Sequence, residues 1–107
     1  MKKPSGRHRK LAAQTRAEAA TEIAVAALSF LAQEPGRLAG FLAATGIGPQ
    51  SLRAAAHEPG FLLGVLEYLV GDESLLLAFA AERELDPQEV AQAREALDDR
   101  PGHTGAA

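Results

Sequence analysis

Apolar residues recur along the chain with the three- and four-residue spacing of amphipathic α-helices. The first helical stretch covers residues 15–33 and carries two adjacent apolar strips. They consist of Ile23, Ala27, Phe30 and Leu31, and of Ala20, Ala24 and Leu28. Because both strips are apolar, we expect this helix to be central and to contact neighbours on two sides. Shorter apolar stretches follow, and the pattern predicts an all-α fold, a compact bundle of five to six short helices.

Proline and glycine mark the boundaries of the second and third predicted helices. Pro35 is predicted to open the second helix, because proline is tolerated in the first turn, where its missing N–H has no partner to lose. Gly46 is predicted to end that helix in the left-handed conformation. The third helix follows at once, with Gly48 as its cap, Pro49 in its first position and its end near His57. Such tight Pro/Gly turns predict short connections.

The later helices show similar signals. Pro59 is predicted to open the fourth helix and Gly71 to end it. Asp72 and Asp86 precede the fifth and sixth helices and are predicted to accept hydrogen bonds from free backbone N–H groups there. Pro87 takes the first position of the sixth helix, which should stop before residue 101.

Composition agrees with an all-helical domain. Alanine and leucine dominate, whereas the chain has only two isoleucines and four valines, so an extended sheet is not expected. The chain has no cysteine. That absence excludes disulfides, thiolate zinc sites, iron–sulfur clusters and cysteine nucleophiles.

Charge is distributed unevenly along the chain. The first ten residues contain five basic residues and no acid: Lys2, Lys3, Arg7, Arg9 and Lys10. The remainder holds six arginines against fourteen acidic residues, a formal charge of about −8. We therefore divide the chain into a disordered basic arm (residues 1–14), a single helical domain (15–100) and a disordered tail (101–107).

The sequence shows no convincing targeting or membrane segment. The longest apolar region, residues 61–81, is interrupted by Glu67 and by the Gly71-Asp72-Glu73 run, and each half is about half the length that a bilayer requires. We therefore expect no membrane span and a cytoplasmic location. The excess of arginine over lysine and the heavy use of alanine are typical of a GC-rich bacterial genome.

Several local motifs recur at the ends and apolar faces of the predicted helices: Leu28-Ser29-Phe30-Leu31-Ala32, Pro35, Phe41-Leu42, Thr45-Gly46, Pro49 with Leu52-Arg53, Pro59-Gly60-Phe61-Leu62, Asp72-Glu73-Ser74-Leu75-Leu76, Phe79-Ala80, and Pro87 with Val90. Together they resemble the domain-of-unknown-function family 3572. The resemblance covers residues 17–97. Members of this family are small bacterial proteins without an established activity, so the resemblance implies a helical fold and transfers no site residue.

Candidate chemistry is sparse. His57 suits the negative end of the third helix, and Glu67 is expected either on an exposed strip or paired with Arg53. A catalytic or metal site needs convergent partners, and these three residues would form one only if the fold brought them into one pocket. We therefore predict no catalytic residue, no cofactor, no metal ligand and no enzyme.

Two patterns leave alternatives open. Residues 41–52 have the outline of a helix-turn-helix, whose second helix would present Gln50 and Arg53 to nucleic acid, or they form a plain corner between two helices. The Gly36-x-x-x-Gly40 and Gly60-x-x-x-Gly64 spacings allow close helix approach, either inside the bundle or across a homodimer.

The sequence favours a non-enzymatic protein-interaction module that binds a protein partner or a second copy. Its contact surface is expected among those apolar side chains that the fold leaves uncovered: Phe61, Leu63, Tyr68 and Leu77. The alternative is a DNA- or RNA-associated accessory protein that uses Lys2, Lys3, Arg7, Arg9, Lys10, Gln50 and Arg53. The basic arm could also bind acidic lipid head groups or an acidic protein, or simply keep the protein soluble.

Overall fold

A computed structural model describes the backbone of residues 5–98 and the side chains of residues 16–98. Within that backbone there are six α-helices and no strand: α1 (Ser5–Ala32), α2 (Pro35–Thr45), α3 (Leu52–Ala55), α4 (Phe61–Val70), α5 (Glu73–Arg83) and α6 (Pro87–Leu97), with a 3-10 turn (Pro49–Ser51) leading into α3. The all-α bundle predicted from the apolar pattern is confirmed.

The core forms around α1, which packs against α2, α4 and α6. Both apolar strips of α1 contribute, because Ala20, Ala24, Ala27, Phe30 and Leu31 are all buried. The predicted central position of this helix is therefore confirmed. The largest fully buried side chains outside α1 come from four further helices: Phe41, Val65, Leu66, Leu69, Phe79 and Val90.

Aromatic rings connect the elements of this core. The rings of Phe30 and Phe79 meet edge to face with centroids 5.4 Å apart. Phe41 of α2 contacts Phe61 at 5.9 Å and Tyr68 at 5.5 Å, both in edge-to-face geometry. Such pairs stabilise a fold beyond the burial of their area. They join α1 to α5 and α2 to α4.

Several predicted helix ends are confirmed. Gly46 adopts the left-handed conformation (φ 78°), and its N–H donates to the Leu42 carbonyl. Asp72 accepts a hydrogen bond from the Leu75 N–H at 3.2 Å, and Asp86 accepts one from the Gln88 N–H at 2.9 Å. The two aspartate contacts satisfy N–H groups that have no partner within their own helices.

The first helix begins earlier than predicted. It starts at Ser5, whereas the sequence pattern placed its start near Thr15. Residues 7–14 contain no proline or glycine and consist mostly of good helix formers, so their intrinsic preference favours continuation of the helix. Residues 1–4 and 99–107 lie outside the described residues, and the division into arm, domain and tail stays a prediction.

The predicted boundaries around Pro59 were wrong by two residues on each side. Helix α3 ends at Ala55 rather than near His57, and α4 begins at Phe61 rather than at Pro59. The intervening residues form turns, in which the Phe61 N–H donates to the Glu58 carbonyl. The helical conformation is disfavoured for Glu58, which precedes proline, so α3 and α4 cannot join into one continuous helix there.

Helix α5 ends in a left-handed residue that the sequence did not reveal. Glu84 has φ 57° and is the only non-glycine residue with positive φ among the described residues. The Leu85 N–H donates to the Ala80 carbonyl, and the Glu84 N–H donates to the Ala81 carbonyl. This is the hydrogen-bond pattern of a Schellman C-terminus, in which glycine is the usual residue at the left-handed position.

Arg37, near the start of α2, contacts Phe30, near the end of α1. Its guanidinium lies 3.9 Å from the centre of the Phe30 ring and donates to the Phe30 carbonyl at 3.2 Å. The Glu34 carboxylate lies 3.8 Å from the guanidinium as an ion-pair partner. A cation at the C-terminal end of a helix also interacts favourably with the helix dipole.

Of the four glycines in the two pairs, Gly40 alone lies close to a side chain of another helix. A Cβ at Gly40 would lie 2.8 Å from the Tyr68 hydroxyl, so the internal close approach predicted for the first pair is confirmed at that residue. A Cβ at Gly36, Gly60 or Gly64 would meet no atom within 4 Å, so close internal packing was wrong for these three. The homodimer alternative for them stays a prediction.

We expect Gly40→Ala to destabilise the protein by about 1 kcal/mol, because Tyr68 must shift away from the added methyl group. Gly36→Ala serves as the matched control and should stabilise by about 0.5 kcal/mol, since alanine is the better helix former and the space is open. Urea unfolding of both variants measures the difference. In a Tyr68→Phe background the Gly40→Ala penalty should shrink; an unchanged penalty there would contradict the hydroxyl contact.

Candidate functional site

The residues predicted to carry chemistry lie on separate parts of the surface. His57 is exposed, and its Nδ1 lies 3.1 Å from the Arg53 carbonyl oxygen, which places it beside the C-terminal end of α3, as predicted. Glu67 is exposed, as one of its two predicted placements required. Its carboxylate lies 3.8 Å from the Arg94 guanidinium, and the alternative pairing with Arg53 is not observed. Arg94 is within reach because α6 packs directly against α4.

Within the side chains of residues 16–98, no group of three histidine or acidic residues is placed to hold a metal ion. None of the three surface hollows described below is lined by Arg53, His57 or Glu67. None of these hollows therefore brings the three residues together.

The segment with a helix-turn-helix outline has a very short second helix. Helix α3 contains four residues and follows a single 3-10 turn. Gln50 in the 3-10 turn and Arg53 in α3 are both exposed, so two of the seven predicted nucleic-acid contacts lie on consecutive short elements. Arg7, Arg9 and Lys10 fall within the backbone of α1, but their side chains, and Lys2 and Lys3 altogether, lie outside the described residues.

The fold covers most of the apolar side chains that were candidates for a contact surface. Phe61 is buried, Tyr68 packs against Phe41, and Leu63 is half-buried. Leu77 is 47% exposed and is the one member of the predicted set that remains on the surface. Val25, which the sequence pattern did not single out, is 48% exposed on α1.

A groove runs between α1 and α6. It encloses about 250 Å³ and is open along one side. Its apolar lining consists of Ala19, Ala20, Ile23, Ala93 and Ala96. Its polar members are Arg16 on the α1 wall, and Glu89 and Gln92 on the α6 wall. The groove therefore combines small apolar side chains with charges of opposite sign on its two walls.

Two further hollows lie along α1. One is lined by Glu22, Ile23, Ala26, Arg83 and Leu85, and so shares Ile23 with the groove. The groove and this adjoining hollow are here called the α1 surface. The other hollow is lined by Ala17, Glu18, Thr21 and Glu22. Because successive residues of a helix are about 100° apart, this hollow and exposed Val25 lie on the opposite side of α1, outside the α1 surface.

The charged residues of the groove stand at opposite ends. Leu85, which precedes α6, lies beside Ile23 in the second hollow. Helix α6 therefore begins beside the later part of α1 and runs back toward Arg16. Glu89, in the first turn of α6, is then near the Ile23 end of the groove, and Arg16 is at the other end. A partner in this groove meets Arg16 and Glu89 placed diagonally, and it meets Glu22 and Arg83 where the adjoining hollow begins.

This arrangement suits contact with another protein. Alanine side chains let a helix approach closely, and charges at the rim fix its orientation while the apolar floor supplies area for burial. The ionisable residues of the groove, Arg16 and Glu89, stand at its opposite ends and do not converge as acid–base or nucleophilic chemistry requires. Sequence reasoning missed the groove, because alanine is common both inside helices and on their surfaces. The one available signal was the abundance of alanine in both helices.

Fold and surface together define a small all-α protein with an apolar, charge-rimmed groove on its central helix. Residues 17–100 match the family described as "Protein of unknown function (DUF3572)", and the chain belongs to that family. The resemblance inferred from its local motifs is thus confirmed. No curated protein and no solved structure matches the chain. Within residues 5–98, no helix is both long enough and apolar enough to cross a membrane.

Proposed function

We propose that this protein is a non-enzymatic interaction module that binds a protein through the α1 surface. One observation carries the proposal: the groove between α1 and α6 has an apolar lining of small side chains with oppositely charged residues at its rim, and a second hollow joins it at Ile23. Contiguous apolar area with a polar rim is typical of protein-binding sites.

The same features favour binding over catalysis. The groove's apolar lining comes from alanines and one isoleucine, which have no reactive groups. Its charged members, Arg16 and Glu89, stand at opposite ends rather than converging on one point. The proposal places the protein in a bacterial cytoplasm, in accordance with the composition and the absence of cysteine.

Nucleic-acid association is the alternative, supported by the five basic residues among the first ten. Against it, residues 16–98 carry thirteen acidic side chains and five arginines, so the body of the protein repels a phosphate backbone. Binding that weakens steeply with salt and is lost on removal of residues 1–10 would favour this alternative over the proposed function.

Site-specific photocrosslinking tests the proposed function. A photoreactive residue placed at Ala19 or Ala96, both exposed in the groove, should capture a protein in cells that express the chain naturally. The same residue at exposed Ala43 of α2 is the matched control and should capture little. Equal capture at all three positions, or none at the groove positions, would contradict a binding site on the α1 surface.

A further inference from the structure

We propose that the partner on the α1 surface is a second copy of this chain, held in a two-fold symmetric dimer. The inference rests on the proposed function and specifies its partner. It starts from the diagonal placement of charge in the groove, with Arg16 at one end of the α1 wall and Glu89 at the other end of the α6 wall.

A surface with that placement is complementary to itself. Two copies can face each other across a two-fold axis. The axis lies in the plane between the two copies, midway between the two charges and perpendicular to the line that joins them. That axis exchanges the two ends of the groove, so each Arg16 lies opposite the other copy's Glu89 and the same pair forms twice. Contacts of this reciprocal kind are what a two-fold interface requires. A partner without this symmetry would need its own matched acid and base.

Among the side chains of residues 16–98, no ion pair engages either charge. Among the described residues, Arg37 pairs with Glu34 and Arg94 pairs with Glu67. Arg16 and Glu89 belong to neither pair, and both side chains are exposed. They are therefore available to a second molecule.

The floor between the charges also suits two copies. The middle of the groove is lined by Ala19 and Ala20 on one wall and by Ala93 on the other. These residues lie nearest the proposed axis, and their small side chains leave the groove open to receive rim side chains of the other copy. The long rim side chains of one copy can lay their methylene groups over the other copy's alanines while their charges pair.

Paired charge reversals distinguish the loss of a dimer contact from the loss of folded structure. The full-length protein should sediment as a dimer at about 100 μM, a concentration well above the dissociation constant of a specific dimer. Arg16→Glu brings acidic groups together twice in its homodimer, and Glu89→Arg brings basic groups together twice. Each variant alone should therefore weaken self-association by about tenfold to a hundredfold, because like charges at close range cost binding energy.

Mixing the two variants should restore the dimer. In the mixed pair one copy is acidic at both positions 16 and 89 and the other copy is basic at both, so each of the two contacts joins opposite charges. Sedimentation velocity of the equimolar mixture should therefore show heterodimers near the wild-type affinity. Glu58→Arg, in the exposed turn before α4, is the matched control and should dimerise like the wild type. Far-UV circular dichroism checks that each variant keeps its helices.

A monomeric wild-type protein at about 100 μM would overturn the inference. Variants that dimerise normally, or a mixture that stays monomeric, would also overturn it. If the protein is monomeric but photoreactive residues at Ala19 and Ala96 capture a different protein, the second copy is ruled out and the proposed function stands. A monomer without crosslinks at those positions would reject both.

Discussion

Replacing Phe30 with alanine is expected to destabilise the protein by about 3–5 kcal/mol, a large part of the stability of a domain of this size. The ring is 1% exposed near the C-terminal end of α1, in edge-to-face contact with Phe79 and beneath the Arg37 guanidinium. Its removal leaves a cavity and weakens the attachment of α5 and α2 to the central helix. Urea unfolding followed by circular dichroism measures the loss.

A double-mutant cycle isolates the ring contact from the burial. Phe30→Leu and Phe79→Leu each keep an apolar side chain, and their combination should show a coupling of about 0.5–1.5 kcal/mol. Additive effects of the two leucine substitutions would show that the edge-to-face contact contributes nothing beyond filling space.

Ala24→Leu is expected to destabilise the protein by about 1–3 kcal/mol or more, because a larger side chain must enter a filled interior. Ala24 is fully buried on α1, the helix that α2, α4 and α6 all contact. Relief would require these neighbours to move apart. Thermal or urea unfolding of the variant reports the loss.

Ala43→Leu provides the matched control on α2. Ala43 is exposed, and alanine and leucine are both strong helix formers, so its unfolding midpoint should change little. If Ala24→Leu and Ala43→Leu unfolded at the same urea concentration, close packing around α1 would be refuted.

The features predicted correctly from the sequence are those that depend on neighbouring residues. Gly46, Asp72 and Asp86 end or begin helices through contacts within four residues of themselves, so their types and positions were sufficient to place them. The burial of Ala24 and Phe30 follows from helical periodicity, which needs no knowledge of the partner helix.

The failures have different physical origins. Glu84 adopts a left-handed conformation although it is not glycine, because the Schellman hydrogen bonds and the start of α6 hold the backbone there. Glu67 pairs with Arg94 because α6 packs on α4, a contact between residues far apart in the chain. Phe61 was a candidate for exposure and is buried, in contact with Phe41 of α2.

The candidate surface depended entirely on tertiary structure. Ala19 and Ala96 are 77 positions apart, and only the packing of α6 against α1 makes them walls of one groove. Their residue type did not indicate it, since alanine tolerates both burial and exposure. Arg16 and Glu89 likewise resembled ordinary solvated charges until the fold placed them at the two ends of the same groove.

The brevity of α3 has a consequence for how the molecule opens. It has four residues and is followed by the exposed turn at residues 56–60, so few contacts hold this stretch to the body. Its backbone amides can exchange with solvent through a local fluctuation, while those of α4 and of residues 20–31 in α1, which form the core, await global unfolding. A fluorescent label or an inserted peptide in the turn would therefore report on the protein without disturbing its interior.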